Sequence, residues 1–282
     1  MVVSLMSDVK HWSHSQVDAW LSCGKKYELS RLRGAPQSPT VWAPAGTALH
    51  EVADKLVRGE VTDLHSAWVT TFNEHVEAQV QKTQTDPDFW RKAGRVSKDK
   101  PNKEDVVFWM GEGARQLALY ATWLQTSGYT IARLDDGTIL SELETTTRFG
   151  DVEVKGFCDA VFNTPDGRKI VVDLKSGTRI PNKSTQLGLY KVALLKEYGV
   201  ATDGGSFFMT RKGELTEEVD LHQYSEQYFT TMFAKAEIAR ENEIFIPNPG
   251  DACRICDVSS ACFVMSGHES WKYDSLNPQF QS

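Results

Sequence analysis

Three consecutive segments between residues 152 and 175 leave this chain few ways to fold. VEVKGFCDAVF reads as a strand, NTPDGRK as a turn rich in Asn, Pro, Asp and Gly, and KIVVDLKSG as a second strand. The last of these is apolar enough to lie centrally in a sheet. Upstream, TILSELETTTRF alternates and then meets Gly150-Asp151, a hairpin signal. After a break at Pro181, TQLGLYKVALLKEYG reads as a helix ended by Gly199, and GGSFFMT as a fourth strand. The order helix, three antiparallel strands, helix, strand predicts an α/β core over residues 138–210.

The first part reads as helical, over residues 13–130. Ser13 or Ser15 can cap a helix running to about Arg33. Further helices are predicted over about Gly46–Arg58, Leu64–Lys82 and Val106–Thr126 from their apolar spacing. Between the last two, RKAGRVSKDKPNK reads as a loop or lid. Its Arg91, Lys92, Arg95, Lys98, Lys100 and Lys103 can touch phosphates, or can simply be solvated. The segment Glu214–Glu243 is predicted to be helical, with eight acids against Lys235 and Arg240. Pro247 and Pro249 then break the chain before a cysteine cluster, and residues 274–282 read as a loose tail. The 282 residues, 40% of them hydrophobic, are ordinary globular material, expected to form a single domain without internal repeats. No apolar run approaches the ~20 residues of a membrane span, and MVVSLMSDVKHW lacks the basic start of a signal peptide. The expectation is a cytoplasmic protein with no membrane attachment.

The chemistry concentrates at Val171-Val172-Asp173-Leu174-Lys175. Side chains alternate along a strand, so Asp173 and Lys175 share one face and Leu174 turns into the core. Alone, this pattern fits a salt-bridged surface strand equally well. Asp159, on the preceding strand across a short turn, can be Asp173's neighbour across the ladder. Two converging carboxylates suit a hard divalent cation such as magnesium or manganese, with Lys175 beside it to orient or deprotonate water. His50 follows Gly46 by one helical turn; an isolated histidine of this kind is ordinarily a partly buried helix residue. Glu142, on the first strand, reads as structural or supporting. The net charge of −7 argues weakly against a general nucleic-acid coat, but not against a local DNA grip. Trp12, Trp20, Trp42, Trp68, Trp90, Trp109 and Trp123 fall in the helical half, and an exposed one can stack on an unpaired base.

Cys253, Cys256 and Cys262 form C-x2-C-x5-C, and Cys23 supplies a fourth thiol. In a reducing compartment this pattern favours metal over disulfides, and four thiolates hold zinc or an iron-sulfur cluster. The bland reading is unpaired buried thiols. Cys158 is assigned to the core.

Gly156 to Asp159 followed by Asp173-Leu174-Lys175 resembles the PD-(D/E)XK nuclease superfamily. Three further motifs resemble its RecB-like exonuclease branch: Gly46-Thr-Ala-Leu-His50, Gln186-Leu-Gly-Leu-Tyr190, and the opening helix from Ser15 to Cys23 with Lys25 and Lys26 behind it. The four cysteines resemble those of the AddB type and of CRISPR-associated RecB-like exonucleases. The resemblance spans about Ser13 to Cys262. It departs at Asp173, where many relatives carry glutamate, and at Gly24, where they carry proline.

The resemblance implies a restriction-endonuclease-like core, a mixed sheet flanked by helices, with an N-terminal helical elaboration and an iron-sulfur cap. In it, His50, Asp159, Asp173 and the Leu174 carbonyl would bind magnesium or manganese. Lys175 would activate water, and Gln186 and Tyr190 would support Lys175, the metal site or the DNA backbone. Cys23, Cys253, Cys256 and Cys262 would hold a 4Fe–4S cluster, with zinc as the alternative. The implied activity is a DNA exonuclease on single-stranded or frayed ends, and a 5′ to 3′ polarity is admitted. The rival reading is a non-catalytic DNA-binding or assembly module. Partners in recombination, replication or CRISPR adaptation, and an oligomer, are compatible with either.

Overall fold

The computed structural model describes residues 11–94, 96 and 103–280. The chain divides into two compact units. One comprises Met1–Ser38, Thr146–Gly156 and Glu226–Ser282; the other comprises Pro39–Thr145 and Phe157–Ser225. In chain order the elements are β1 (Trp12–Ser13), α1 (His14–Ser22), α2 (Gly24–Tyr27), a π-helical turn at Glu28–Leu32, α3 (Trp42–Val57), α4 (Leu64–Thr83) and α5 (Val106–Thr126). They continue with β2 (Thr130–Ile131), β3 (Ser141–Phe149), β4 (Val152–Asn163), β5 (Lys169–Lys175), α6 (Thr185–Tyr198), β6 (Gly204–Met209), β7 (Glu214–Leu215), α7 (Glu226–Glu241) and α8 (Ser270–Tyr273). No helix among the described residues is long and apolar enough to cross a membrane.

Two expectations about elements need correction. The opening helix does not run unbroken to Arg33: Ser13 caps it by accepting from Gln16 N, but Cys23 is extended (φ −165°, ψ 109°) and interrupts it. The stretch from Glu214 is not helical throughout. Its first residues pair as β7 with β6, Asp220 folds a turn by accepting from His222 N at 2.9 Å, and the helix begins only at Glu226. An acidic stretch carries no period, so its composition could not locate this boundary.

The Pro39–Thr145 and Phe157–Ser225 unit is a mixed sheet covered by helices. Strand β4 pairs antiparallel with β2 and β5, β5 pairs parallel with β6, and β6 pairs antiparallel with β7. Strand β5 is therefore internal, as its apolar run requires. Its even residues, Ile170, Val172 and Leu174, pack in one core with Leu49, Val52 and Ala53 of α3 and Trp109, Leu117 and Tyr120 of α5. Val171 packs in another core with Leu187, Tyr190 and Leu194 of α6. The alternation slips on β4. Cys158 and Val161 belong to the α6 core, whereas Ala160 and Phe162 belong to the α3 core. One extra residue at Asp159–Ala160 is the signature of a β-bulge, a device that re-aims a side chain.

In the other unit, β1 pairs in parallel with β4 at Trp12↔Val154. Trp12 stacks on Tyr27 with centroids 5.0 Å apart, and Phe149 packs against Phe229 and Phe233 of α7. Gly24 permits a close crossing: a Cβ there would stand 2.8 Å from the backbone nitrogen of Ile246. A side chain at this position would displace the 245–246 backbone.

The tail from residue 274 is anchored at its start. Asp274 is fully buried; its Oδ1 lies 3.1 Å from Lys25 Nζ, and its Oδ2 accepts from Phe263 N at 2.7 Å. Lys25 also pairs with Glu28, which Arg33 reaches at 3.3 Å. Two cations and two anions thus balance in a site shielded from water. Asp274→Ala would leave Lys25 and Arg33 sharing the single charge of Glu28 in a buried site and strip the acceptor from Phe263 N. We expect a loss of about 3–5 kcal/mol, measured by chemical denaturation of the full chain.

Candidate metal centre

Three elements bring ligand atoms together in the Pro39–Thr145 and Phe157–Ser225 unit. His50 comes from α3, Glu142 from the start of β3 and Asp159 from the bulge in β4. One ligand atom from each lies within 4.8 Å of the other two. His50 Nδ1 stands 3.1 Å from Glu142 Oε1 and 3.4 Å from Asp159 Oδ2. Asp159 Oδ2 also accepts from Leu174 N at 2.8 Å, which fixes the carboxylate against β5. Glu142 holds φ at +45°, a left-handed conformation uncommon for a non-glycine residue and costing of order 1–3 kcal/mol. The neighbouring Ser141 carbonyl accepts from Arg58 at 2.6 Å, and Arg58 is itself tied to Asp54. The fold thus holds a strained backbone where it aims a carboxylate into the cluster.

Asp173 and Lys175 lie beside this group. Asp173 is fully buried, and its Oδ2 faces Lys175 Nζ at 2.5 Å as an ion pair. Among the described residues, neither Asp173 oxygen has a donor placed for a regular hydrogen bond. Lys175 Nζ donates to Gln186 Oε1 at 3.1 Å, and Gln186 Nε2 donates to Tyr190 Oη at 2.8 Å. Gln186 and Tyr190 therefore stand in series behind Lys175, one helical turn apart on α6. The end of β5 is braced as well. Thr210 N and Oγ1 both donate to the Lys175 carbonyl at 3.1 Å. Arg211 donates to the Ser176 carbonyl at 2.8 Å while gripping Glu104 with two nitrogens.

The electrostatics follow from crowding. Burial disfavours a protonated His50, but the carboxylates of Asp159, Glu142 and Asp173 outweigh it and lift its pKa to about 9. Burial is also the largest cause raising Asp159 and Asp173 above the usual carboxylate range; the charge of Asp159 adds to it at Asp173, while His50 and Lys175 oppose it. Buried carboxylates crowding an imidazole, one of them with no ordinary donor, form a donor set short of positive charge. Oxygen ligands with one imidazole suit magnesium or manganese, so the residues present fit a divalent cation.

A pH prediction follows. A raised histidine pKa contributes stability that is complete below about 6.5 and lost as pH rises through about 9. Raised carboxylate pKa values likewise weaken the metal-free fold as pH rises above the ordinary carboxylate range. A cation needs the acids ionised and the imidazole neutral, so it competes with these protons. The rise in Tm produced by magnesium or manganese should therefore grow between pH 6 and pH 9. Affinity should increase up to about tenfold per pH unit for each proton displaced. An increment independent of pH would place the cation elsewhere.

The sequence reading and the structure meet unevenly. His50 and Asp159 meet on the α3 side of the β4–β5 pair, and Asp173, Lys175, Gln186 and Tyr190 form a chain on the side that faces α6. Glu142, read as structural or supporting, is a full member of the ligand group, whereas Asp173 is not. The bulge explains this, because it turns Asp159 toward α3 while Asp173 stays on the alternation that faces α6. Period-two patterning places Glu142 and Glu144 alike, so nothing in the sequence could single out Glu142. Leu174 contributes its N–H, and its side chain packs in the α3 core. Gly46 lines the cavity beside His50, but a Cβ there would only touch Ser176 Oγ at 3.7 Å. Thr210 and Arg211 carried no motif. Trp12, Trp68, Trp90 and Trp109 are buried and unable to stack on a base. Of the basic loop, Arg95, Lys98 and Lys100 lie outside the described residues.

The closed four-cysteine cap is not seen. All four thiols lie in the Met1–Ser38, Thr146–Gly156 and Glu226–Ser282 unit, each half-buried and free. Among the described residues, no cysteine belongs to a group of three ligand atoms within 4.8 Å. A tetrahedral zinc with Zn–S bonds of about 2.3 Å would need sulfurs about 4 Å apart. The thiols do sense one another. Burial is the main cause raising Cys256 and Cys262, with further contributions from Cys23 on Cys256 and from Cys256 on Cys262. Cys158 is buried in the α6 core of the other unit.

The sequence model of the PD-(D/E)XK nuclease superfamily matches residues 11–263. The Gene 69 protein of Mycobacterium phage D29 is 31% identical over 267 residues, covering 89% of this chain and 96% of the relative. The Gene 69 protein of Mycobacterium phage L5 is 26% identical over 283 residues, with the same coverage of each.

Proposed function

The chain belongs to the PD-(D/E)XK nuclease superfamily, and from that premise we propose that it is a divalent-metal-dependent deoxyribonuclease acting as an exonuclease on single-stranded or frayed ends. The observation carrying this reading is the group His50 Nδ1, Glu142 Oε1 and Asp159 Oδ2, set beside the buried Asp173–Lys175 pair.

In this mechanism His50, Glu142 and Asp159 would hold magnesium or manganese, joined by Asp173 and the Leu174 carbonyl, the further ligands that the family resemblance implies. A cation held there would supply Lewis-acid polarisation of the scissile phosphate, a lowered pKa for water and neutralising charge at the leaving oxygen. Lys175 has three ammonium hydrogens. Gln186 accepts one of them and the Asp173 charge holds the head by ion pairing, so hydrogens remain for the attacking water or a phosphate oxygen. Tyr190 holds Gln186, and Gln186 holds the Lys175 head, so nucleophile placement depends on α6 as well as β5. Thr210 and Arg211 keep the end of β5 from shifting.

The RecB-like assignment and a 4Fe–4S cluster on Cys23, Cys253, Cys256 and Cys262 belong to the same proposal. They are supported by motif order and by the gathering of the four thiols in one unit. The test is digestion of 5′- and 3′-labelled single-stranded DNA by anaerobically purified protein, with manganese and with EDTA, beside Asp173→Ala. Metal-dependent cleavage lost in the variant is expected, and the product ladder reads the polarity. A folded, metal-supplied protein that cuts nothing would favour a DNA-binding module instead.

A further inference from the structure

The metal group opens into a cavity of about 520 Å³ lined by Gly46, Thr47, His50, Glu51, Asp54, Glu142 and Phe157. That volume lies within the range of small-ligand sites. Phe157 is its anomaly: it is 53% exposed, on a strand whose next five residues are all buried. It precedes Asp159 by two residues, so both side chains leave β4 on the same face, about 7 Å apart along the strand. Nothing in the fold requires an aromatic ring there, since Cys158 and Val161 fill the core on the opposite face.

The opposing wall carries acids whose charges are largely met within the unit. Glu51 pairs with Lys55 at 2.7 Å and with His75 at 2.9 Å, and Asp54 pairs with Arg58 at 2.8 Å. Glu142 and His50 remain as the polar end of the cavity, where the cation would sit. The cavity therefore has a phosphate end and an aromatic end about one nucleotide apart. A paired base cannot present its face to a side chain, whereas an unpaired base can.

We propose that Phe157 forms a stacking subsite for an unpaired nucleobase next to the phosphodiester being cut, and thereby contributes the preference for single-stranded or frayed DNA. The inference rests on the nuclease reading above for its phosphate end. The subsite takes any base, because stacking uses the π-face rather than the hydrogen-bonding edge.

The test uses the full chain, comparing wild type with Phe157→Ala, Phe157→Leu and Phe157→Trp. Two ligands of equal length are used: a thymine oligonucleotide and the same strand made of abasic sites. Binding is read in calcium, by fluorescence anisotropy, so that it does not depend on cleavage. Cleavage is read separately in manganese. Wild type should prefer the base-bearing strand about tenfold or more. That preference should collapse toward unity in Phe157→Ala, fall partway in Phe157→Leu, and survive in Phe157→Trp. Quenching of a 2-aminopurine base should follow the same order. A preference unchanged in Phe157→Ala, or one that Phe157→Leu retains in full, would overturn the stacking role. Loss of cleavage by every protein, with the binding pattern intact, would instead count against the nuclease reading while leaving the subsite standing.

Discussion

Asp159→Asn should lower metal-dependent cleavage of single-stranded DNA by at least about a thousandfold, equivalent to roughly 4 kcal/mol of transition-state stabilisation. The side chain was chosen for its shape. Asparagine can still accept the 2.8 Å bond from Leu174 N, so the bulge and the β4–β5 junction should survive. What disappears is the negative charge facing His50 Nδ1 at 3.4 Å, and with it an oxygen ligand of the group. The metal-free protein should lose no stability and should gain some, because Asp159 is an acid that burial pushes above its usual range. Loss of function with a raised Tm would identify the carboxylate as held in place for chemistry at a cost to the fold. The partner variant is Lys175→Ala. It should abolish turnover to a similar degree while leaving the metal-induced Tm increment largely in place, since Lys175 opposes the cation rather than ligating it. If both variants lost metal binding and activity together, Lys175 would be acting on the site's architecture and not on water. If Asp159→Asn kept its activity, the metal group would not be the catalytic one.

How much of this could be read in advance depends on how local each signal was. The strand–turn–strand from β4 to β5 was legible because apolar runs and turn residues are local, and Gly150, at φ +62°, sits in the turn where the hairpin signal placed it. Helix α5 was legible for the same reason, with Asp105 capping it by accepting from Phe108 N. Asp159, Asp173, Lys175, His50, Gln186 and Tyr190 were read as a set because their spacing resembles a family pattern. Geometry at single-residue level was not available: one inserted residue in β4 decides which acids face α3. The strain at Glu142, the brace from Arg211 and the exposed ring of Phe157 all depend on contacts distant in sequence. Asp274 is a similar case, since a lone acid in a polar tail reads as solvated until Lys25, 249 positions earlier, is found beside it.

Cys262→Ser is the second variant expected to have a large effect, and it separates the two ways in which the Met1–Ser38, Thr146–Gly156 and Glu226–Ser282 unit could be held together. If the four thiols carry a 4Fe–4S cluster, ligand binding is folding free energy, and losing one ligand should cost several kcal/mol and most of the iron. Burial keeps Cys256 and Cys262 above the ordinary thiol range, which favours their protonated forms. Loading must then displace those protons, and retention of the cluster should weaken as pH falls. The expected wild-type protein is brown when prepared without oxygen, and Cys262→Ser is colourless, iron-poor and lower in Tm. Asp274→Ala is the necessary comparison, because Asp274 also anchors this segment by accepting from Phe263 N, next to Cys262. A variant that merely loosens the segment should lose stability yet retain iron in proportion to its folded fraction. Equal stability and equal iron in Cys262→Ser and wild type would eliminate the cluster. A colourless wild type holding one zinc would keep the four-thiolate site but require its sulfurs to close to about 4 Å, a rearrangement that the extended backbone at Cys23 and the close crossing at Gly24 would have to absorb.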